Sequence, residues 1–428
     1  MRTAARTRPP AGTDIELPPL APRLRRLVKH PRLMHYNRLM ALVLAVNLAY
    51  AWYGLVHGGI ATDALGHTAL ANFALAILGR QQYVVNLLFR LATAAPRDWP
   101  LKVRWMLGKV YHHGGLHAGG AVAGTSWSLA LTCALTFGDV DAGTATLAAS
   151  YAVAAILIMM VVTALPPLRA RFHDRFEKVH RFGGWTVLLL IWIQTALNDT
   201  APSLWVLAVL TTSIVLPWLR LRRVPVITER PSSHVAVVHF DYGLTPWSAS
   251  TTTMSRGPLR EWHSFAVLPP LGPTGYRLTI SRAGDWTGAF IDDLPTHVWV
   301  RGIPTAGIGK IESLFRKIVY FTTGSGIGPC LYTLMTTKQP ALLVWVTRSP
   351  RATYGDALVE EVLAAQPDAR IWDTTQHGKP DMLRLAYSAF REFGAEAVIC
   401  VSNKQLTWQV VHGLERRGIP AYGPIWDS

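Results

Sequence analysis

Long apolar runs fill the first half of this chain, and short alternating ones fill the second. Six runs, at about 39–57, 65–89, 110–135, 144–165, 179–198 and 203–219, are long enough to cross a ~30 Å hydrocarbon core as helices. Beyond residue 224 the pattern shortens to β-like stretches (HVAVVHF, HSFAVLP, YRLTIS) punctuated by Pro, Gly and Ser, which predicts a small antiparallel β-barrel. From Arg316 the period changes again: strands expected near 317–324, 341–348, 369–374, 395–402 and 419–425 alternate with helical stretches, the signature of an α/β Rossmann-like parallel sheet. The predicted fold is therefore a multi-pass α-helical membrane domain of six helices followed by a barrel and a parallel sheet. The expected boundaries are 1–34, 35–222, 223–312 and 313–428.

Composition agrees with a membrane chain. Of 428 residues, 50% are hydrophobic and 16% charged, with 16 Trp, too apolar for an ordinary soluble protein of this size. Lys and Arg gather in alternate connections: Arg97, Lys102, Arg104 and Lys109, then Arg169, Arg171, Arg175 and Lys178, then Arg220, Arg222 and Arg223. The intervening turns have none, so the positive-inside rule places both termini in the cytoplasm, in a plasma or inner membrane. The +16 charge is thus mostly membrane orientation, and nucleic acid is not an expected partner. The Arg-rich, Pro-broken stretch 1–34 reads as a disordered basic arm. Its end, RLRRLVKHPR, either suits an anionic leaflet or is an ordinary topology signal. With Cys133 in a span and Cys330 and Cys400 in the tail, no disulfide framework is expected.

Within the spans the chemistry rests on histidine. In YHHGGLHAGG, His113 and His117 lie four apart on one helical face and His112 points elsewhere; FEKVHRFGGW supplies His180 on a parallel helix. Facing imidazoles suit one six-coordinate b-type haem, with glycines 114, 115, 119, 120, 183 and 184 leaving room for a macrocycle. The plainer alternative is that the histidines cap helices and the glycines serve packing. Arg80, expected mid-span, needs an anionic or carbonyl partner: a haem propionate, a network with Gln81 and Gln82, or a polar substrate. In the tail, Gly324, Gly326 and Gly328 form a turn between strand and helix that can cradle a phosphate or be a bare structural turn. Arg348 and Arg351 stand where an acid would hold a ribose hydroxyl, which leans towards NADPH.

These residues resemble a family. The order of elements is similar to that of the ferric reductase and NADPH oxidase superfamily, and GRQQYVVNLLF, YHHGGLHAGG, FEKVHRFGGW, EWHSFAVLPP, SRAGDWTGAF, TTGSGIGPC and YGPIWDS resemble the TmpA-like integral membrane proteins, a ferric-reductase-like branch. The resemblance implies a ferredoxin-reductase-like tail, Arg80 as the superfamily's second-span arginine, and His113 or His117 with His180 as inner haem ligands. It also implies Trp262, His263 and Phe265 as the FAD-site motif, and Gly324, Ser325, Gly326, Gly328 and Pro329 as the nicotinamide-nucleotide loop. Cys400 matches the cysteine beside the nicotinamide, a catalytic position.

The chain also departs from the superfamily. Fourteen residues on from His113 and His180, where outer haem ligands would stand ~21 Å away, are Trp127 and Gln194. His57 and His67 are candidate substitutes, or interfacial polar residues. The flavin motif reads His263-Ser264-Phe265-Ala266, without its proline and hydroxyl, and Cys400-Val401-Ser402 replaces Cys-Gly-Pro. Two functions follow. One is a membrane oxidoreductase passing electrons from NAD(P)H to an inner-leaflet haem and on to a membrane acceptor such as a quinone, or to a cytosolic one. The other is a degenerate, non-catalytic member acting as sensor, regulator or scaffold.

Overall fold

The computed structural model describes residues 15–138, 142–197 and 201–424. It divides into two compact units: one drawn from the segment up to Met34, Asn86–Tyr111 and the chain from Arg220 onward, the other from His35–Val85 and His112–Leu219. The first 14 residues of the expected basic arm and Ile425–Ser428 of the YGPIWDS motif lie outside the described residues.

The His35–Val85 and His112–Leu219 unit is a helical bundle. Helix Gly114–Phe137 is central, packed on His35–Val56 and Thr62–Leu78 and, on another side, on Thr144–Ala164, which in turn packs on His173–Leu197. Among the described residues, four helical segments are long and apolar enough to cross a membrane: His35–Val56, Leu101–Phe137, Thr144–Ala164 and Pro202–Arg220. The expected span at 65–89 is two helices, Thr62–Leu78 and Gln82–Thr93, because the chain turns at Gly79–Gln81. Arg80 is therefore in a turn and not inside a span.

Four of the six glycines predicted to make room for a macrocycle sit at close helix contacts, while Gly184 has only an ordinary contact with Met160 at 3.8 Å. A Cβ at Gly115 would stand 2.1 Å from the Tyr36 carbonyl oxygen, one at Gly119 2.8 Å from Val43 Cβ, one at Gly120 2.7 Å from the Asn72 carbonyl oxygen, and one at Gly183 3.2 Å from Ile156 and Met160. Small residues at these positions let the helix backbones approach closely.

In the other unit, seven strands form an antiparallel sheet: β1 (Arg222–Ser232), β2 (Val235–Phe240), β3 (Ser250–Ser255), β4 (His263–Ala266), β5 (Tyr276–Ser281), β6 (His297–Val300) and β7 (Thr305–Ala306). Their order is β4-β3-β6-β1-β2-β5 with β7 on β3, and a bridge between Leu268 and Arg277 brings the two ends together into a nearly closed barrel. Alternate positions Val224, Val226, Val238, Phe240, Tyr276, Leu278 and Ile280 fill its core.

Five parallel strands follow, β8 (Ile318–Thr323), β9 (Ala341–Thr347), β10 (Arg370–Asp373), β11 (Ala397–Val401) and β12 (Ala421–Tyr422), in the order β10-β9-β8-β11-β12. Their unbroken apolar runs fit strands buried on both faces. A barrel followed by this sheet is a ferredoxin-reductase-like module. The strand order reverses direction at β8 and β11, and their carboxyl ends open the crevice where such sheets bind ligands.

The predicted arm and basic connection also behave differently. Residues 15–34 are tethered at several points although largely exposed: Ala21 N–H donates to the Arg416 carbonyl (2.9 Å), Arg417 Nε donates to the Pro18 carbonyl (3.1 Å), and Lys29 lies 3.8 Å from Glu415 and over the Trp105 ring. Segment 86–111, expected inside the membrane domain, folds with the module. Arg104 pairs with Glu396 at 2.6 Å, and Lys109 pairs with Glu415 at 2.6 Å while donating to the Ala421 carbonyl at 2.7 Å. Both cations are nearly fully buried, so they work as packing groups there and are not simply solvated topology signals.

Candidate nucleotide cleft and histidine pair

The glycine loop sits where the topology places it, directly after β8. Gly324 has φ +51°, which favours glycine, and its carbonyl accepts the Trp345 indole N–H at 2.9 Å. At Gly326 a Cβ would stand 2.3 Å from the Val401 carbonyl oxygen and 2.4 Å from Thr322 Oγ1, so only glycine fits between the ends of β8 and β11. Gly328 has looser neighbours, with Leu268 and Thr279 of the barrel at 3.6 and 3.7 Å from its virtual Cβ. Ser325 is partly exposed at the turn, and Pro329 lies in the first turn of helix Ile327–Thr336, where its missing N–H costs no hydrogen bond. The 3₁₀ turn Gly324–Gly326 runs directly into this helix, with the Ile327 N–H donating to the Gly324 and Ser325 carbonyls.

Arg348 immediately follows β9 and is exposed. The turn beneath it is held by Asp373, at the end of β10, which accepts the Ser349 N–H at 2.9 Å and the Thr375 N–H at 2.8 Å. Arg351 is committed elsewhere, to Asp356 (2.9 Å) and Glu360 (2.6 Å).

Three residues at this end escaped the sequence reading. The Thr323 and Ser402 hydroxyls hydrogen-bond each other across the tips of β8 and β11. Tyr354 is buried with its hydroxyl 3.3 Å from the virtual Gly324 Cβ and its ring 5.3 Å from Trp345; burial pushes its phenol up to about 12. Hydroxyl residues at strand carboxyl ends are a signal that could have found the first two. Nothing local marks Tyr354.

Cys400 requires correction. It is completely buried on β11, in the apolar cluster with Val398, Leu385, Ala389 and Val410, and burial raises its thiol to about 12. A thiol so placed faces helices and not the cleft, so the catalytic position implied by resemblance is not available to it. Cys330 is likewise buried, its thiol raised by desolvation.

The expected flavin residues are also turned differently. His263 stacks on Trp286 of helix Asp285–Asp293, with ring centroids 4.2 Å apart; Phe265 lies 6.1 Å from the same ring and packs on the barrel core. Trp262 lies beneath the Arg301 guanidinium at 4.2 Å. The strand position left exposed is Ser264. His263 and Phe265, two apart on β4, share the face that meets Trp286.

In the helical bundle, the structure brings His117 to His180, with ring centroids 6.0 Å apart and nearly edge-on. His117 Nδ1 is 3.0 Å from the Ala76 carbonyl oxygen, which fixes the ring and leaves Nε2 as its other nitrogen. The His180 ring also contacts Phe176 at 5.3 Å, and its Nδ1 is buried without a hydrogen-bond partner. His113 closes a 3₁₀ segment, Gly108–His113. His112 is buried, its Nδ1 accepting the Tyr36 N–H at 3.3 Å. Arg80 Nη1 lies beside Gly114, 3.3 Å from that glycine's virtual Cβ.

Where outer ligands would stand, other groups are satisfied. Trp127 Nε1 donates to Asn47 Oδ1 at 2.7 Å, Asn47 and Asn72 exchange amide hydrogen bonds, and Gln194 donates to Ser150 Oγ at 2.8 Å. His57 is exposed and stacked on Tyr53, and His67 is exposed.

The glycine loop thus lies at a topological switch point of a ferredoxin-reductase-like module, with Arg348 at the end of the adjacent strand. Comparison with known proteins places relatives beside it. The family model for the C-terminal domain of adenylate-forming reductase 03009 matches residues 308–428. Adenylate-forming reductases 03009 and 06235 of Coprinopsis cinerea are 41% and 40% identical to this chain over 424 residues, covering 95% of it and 41% of each relative. The chain thus spans about two fifths of the length of these curated relatives. Among solved structures, flavohemoglobin from Malassezia yamatoensis aligns with TM-score 0.40 at 12% identity, over 84% of this chain and 98% of that one. Ferredoxin-NADP+ reductase from Neisseria gonorrhoeae aligns with TM-score 0.37 at 14% identity, over 48% and 99%.

Proposed function

We propose that this chain is the electron-transferring part of a membrane-bound, ferric-reductase-like oxidoreductase of the TmpA-like kind, using NADPH. One observation carries the reading: Gly324 and Gly326 shape a phosphate-receptive turn at the switch point of the parallel sheet, with Arg348 at the end of the adjacent strand. The word "reductase" in the names of both curated relatives supports the reaction class.

His117 and His180 fit one b-type haem: their ring centroids are 6.0 Å apart, and the buried Nδ1 of His180 lacks a partner. The group would supply one-electron chemistry. His117 would offer Nε2, oriented by Ala76, and Arg80 would stand near a propionate. The satisfied Trp127 and Gln194 leave no second pair of ligands, so a lipid-soluble acceptor such as a quinone, or a cytosolic one, suits this arrangement better than one across the bilayer. No step is assigned to FAD.

The buried Cys400 favours a second reading, a non-catalytic descendant that retains nucleotide as a sensor or scaffold. Calorimetry on the purified chain tests the proposal. NADPH is expected to bind more tightly than NADH, by about tenfold, with the preference lost in Arg348→Ala. Failure of both nucleotides to bind at millimolar concentration would sink it. A haem-replete preparation lacking a reduced-minus-oxidised band would remove the haem.

A further inference from the structure

At the barrel end where β1 starts and β2 and β6 finish, a cavity of about 220 Å³ is lined by Arg220, Arg222 and Arg301 together with Tyr242, Thr252 and Thr253. Arg222 belongs to the inward row of β1: Val224 and Val226, two and four residues on, are buried in the barrel core, and Arg222 pairs with Val300, next to Arg301. The row of core residues therefore ends in a guanidinium at the barrel mouth, while Arg223 alternates to the other face. No Asp or Glu is among the lining residues. Three guanidinium groups and neighbouring hydroxyls around a partly enclosed space match the oxygens of a phosphate, with Arg301 also lying over the Trp262 ring.

We infer that this barrel mouth is a binding site for a phosphate mono- or diester, separate from the glycine loop and independent of whether that loop takes NADPH. Arg220 is the last residue of the apolar Pro202–Arg220 stretch, so a phospholipid headgroup is one source, and a soluble phosphate ester is the other.

The test is native mass spectrometry of the full chain titrated with phosphatidic acid, phosphatidylcholine and glycerol 3-phosphate. Phosphatidic acid is expected to bind, with affinity falling about tenfold in Arg222→Gln and about threefold in Arg301→Lys, which keeps the charge but loses the fork. Arg223→Gln, the same charge change one position away, and Arg348→Ala should stay within about twofold. Displacement by glycerol 3-phosphate would assign the site to soluble esters, and its failure to displace would assign it to lipid; either supports the site. Equal losses in Arg223→Gln and Arg222→Gln, or no binding of either phosphate, would overturn it. Should a variant unfold, phenylglyoxal modification of the wild-type chain decides: Arg222 is expected to be protected by phosphatidic acid and Arg223 not, and equal labelling of both would overturn the site.

Discussion

Replacing Lys109 by Met should unfold the barrel and sheet unit far more easily than loss of a surface charge would. Lys109 and Glu415 meet at 2.6 Å with side chains 4% and 10% exposed, and Glu415 also accepts the Trp105 indole N–H at 3.2 Å. Burial alone would push the Glu415 carboxyl up, but Lys109 and Lys29 outweigh it and hold the group below the usual carboxylate range. Removing the lysine leaves a carboxylate in a desolvated site and the Ala421 carbonyl without its donor, a loss of about 3–5 kcal/mol. For a unit of this size that is roughly 6–20 °C in Tm. Because the Glu415 pKa is depressed on folding, the pair's contribution is present above the unfolded carboxylate pKa and fades as pH falls through the folded one. A double-mutant cycle by thermal unfolding in detergent checks this, with Glu415→Leu as the second substitution. The double variant should recover most of the loss, since an apolar pair replaces a buried ion pair at little cost. A single-variant loss below about 1 kcal/mol, or strict additivity in the double variant, would refute the reasoning and return Lys109 to the role of a topology signal.

Other substitutions discriminate in different ways. Gly115→Ala should disrupt the helical bundle, because its Cβ would stand 2.1 Å from the Tyr36 carbonyl oxygen, whereas Gly184→Ala, 3.8 Å from Met160, should be tolerated; thermal unfolding of the two separates packing from mere glycine content. Glu312, which accepts the Tyr320 hydroxyl at 2.8 Å, has its carboxyl pushed by burial up to about 7. Its folded pKa is raised, so stability should be greatest below the unfolded value and fall as pH rises through 7, by roughly 1–2 kcal/mol after allowing for partial exposure, and Glu312→Gln should flatten that slope in unfolding measured from pH 5 to 8. Cys400→Ala should cost about 1–2 kcal/mol in unfolding yet leave NADPH oxidation within about twofold; a tenfold fall in rate would restore the thiol to the cleft.

The glycine loop and the parallel sheet were legible in the sequence because their signals are local. Continuous apolar strands announce burial on both faces, and Gly324 and Gly326 follow the first of them directly. The same double burial is why the role of Cys400 was not legible: in a strand packed on both sides, alternation does not tell which face meets the cleft. The choice of His117 over His113 was hidden by a change of period. His113 ends a 3₁₀ segment, so the four-residue spacing that puts two side chains on one α-helical face does not hold across it. Glycines in the bundle read equally as space or as contact, and only the 2.1 Å approach of Tyr36 to Gly115 decides for contact. Arg104 and Lys109 show the same limit for charge. Their basic character is in the sequence, but Glu396 is 292 residues beyond Arg104, and no local pattern can pair them. What the sequence by itself determined was the succession of elements and the loop whose geometry is made within a few residues. Whether a buried glycine, cation or thiol faces a partner, a ligand or a helix was decided by contacts between distant segments.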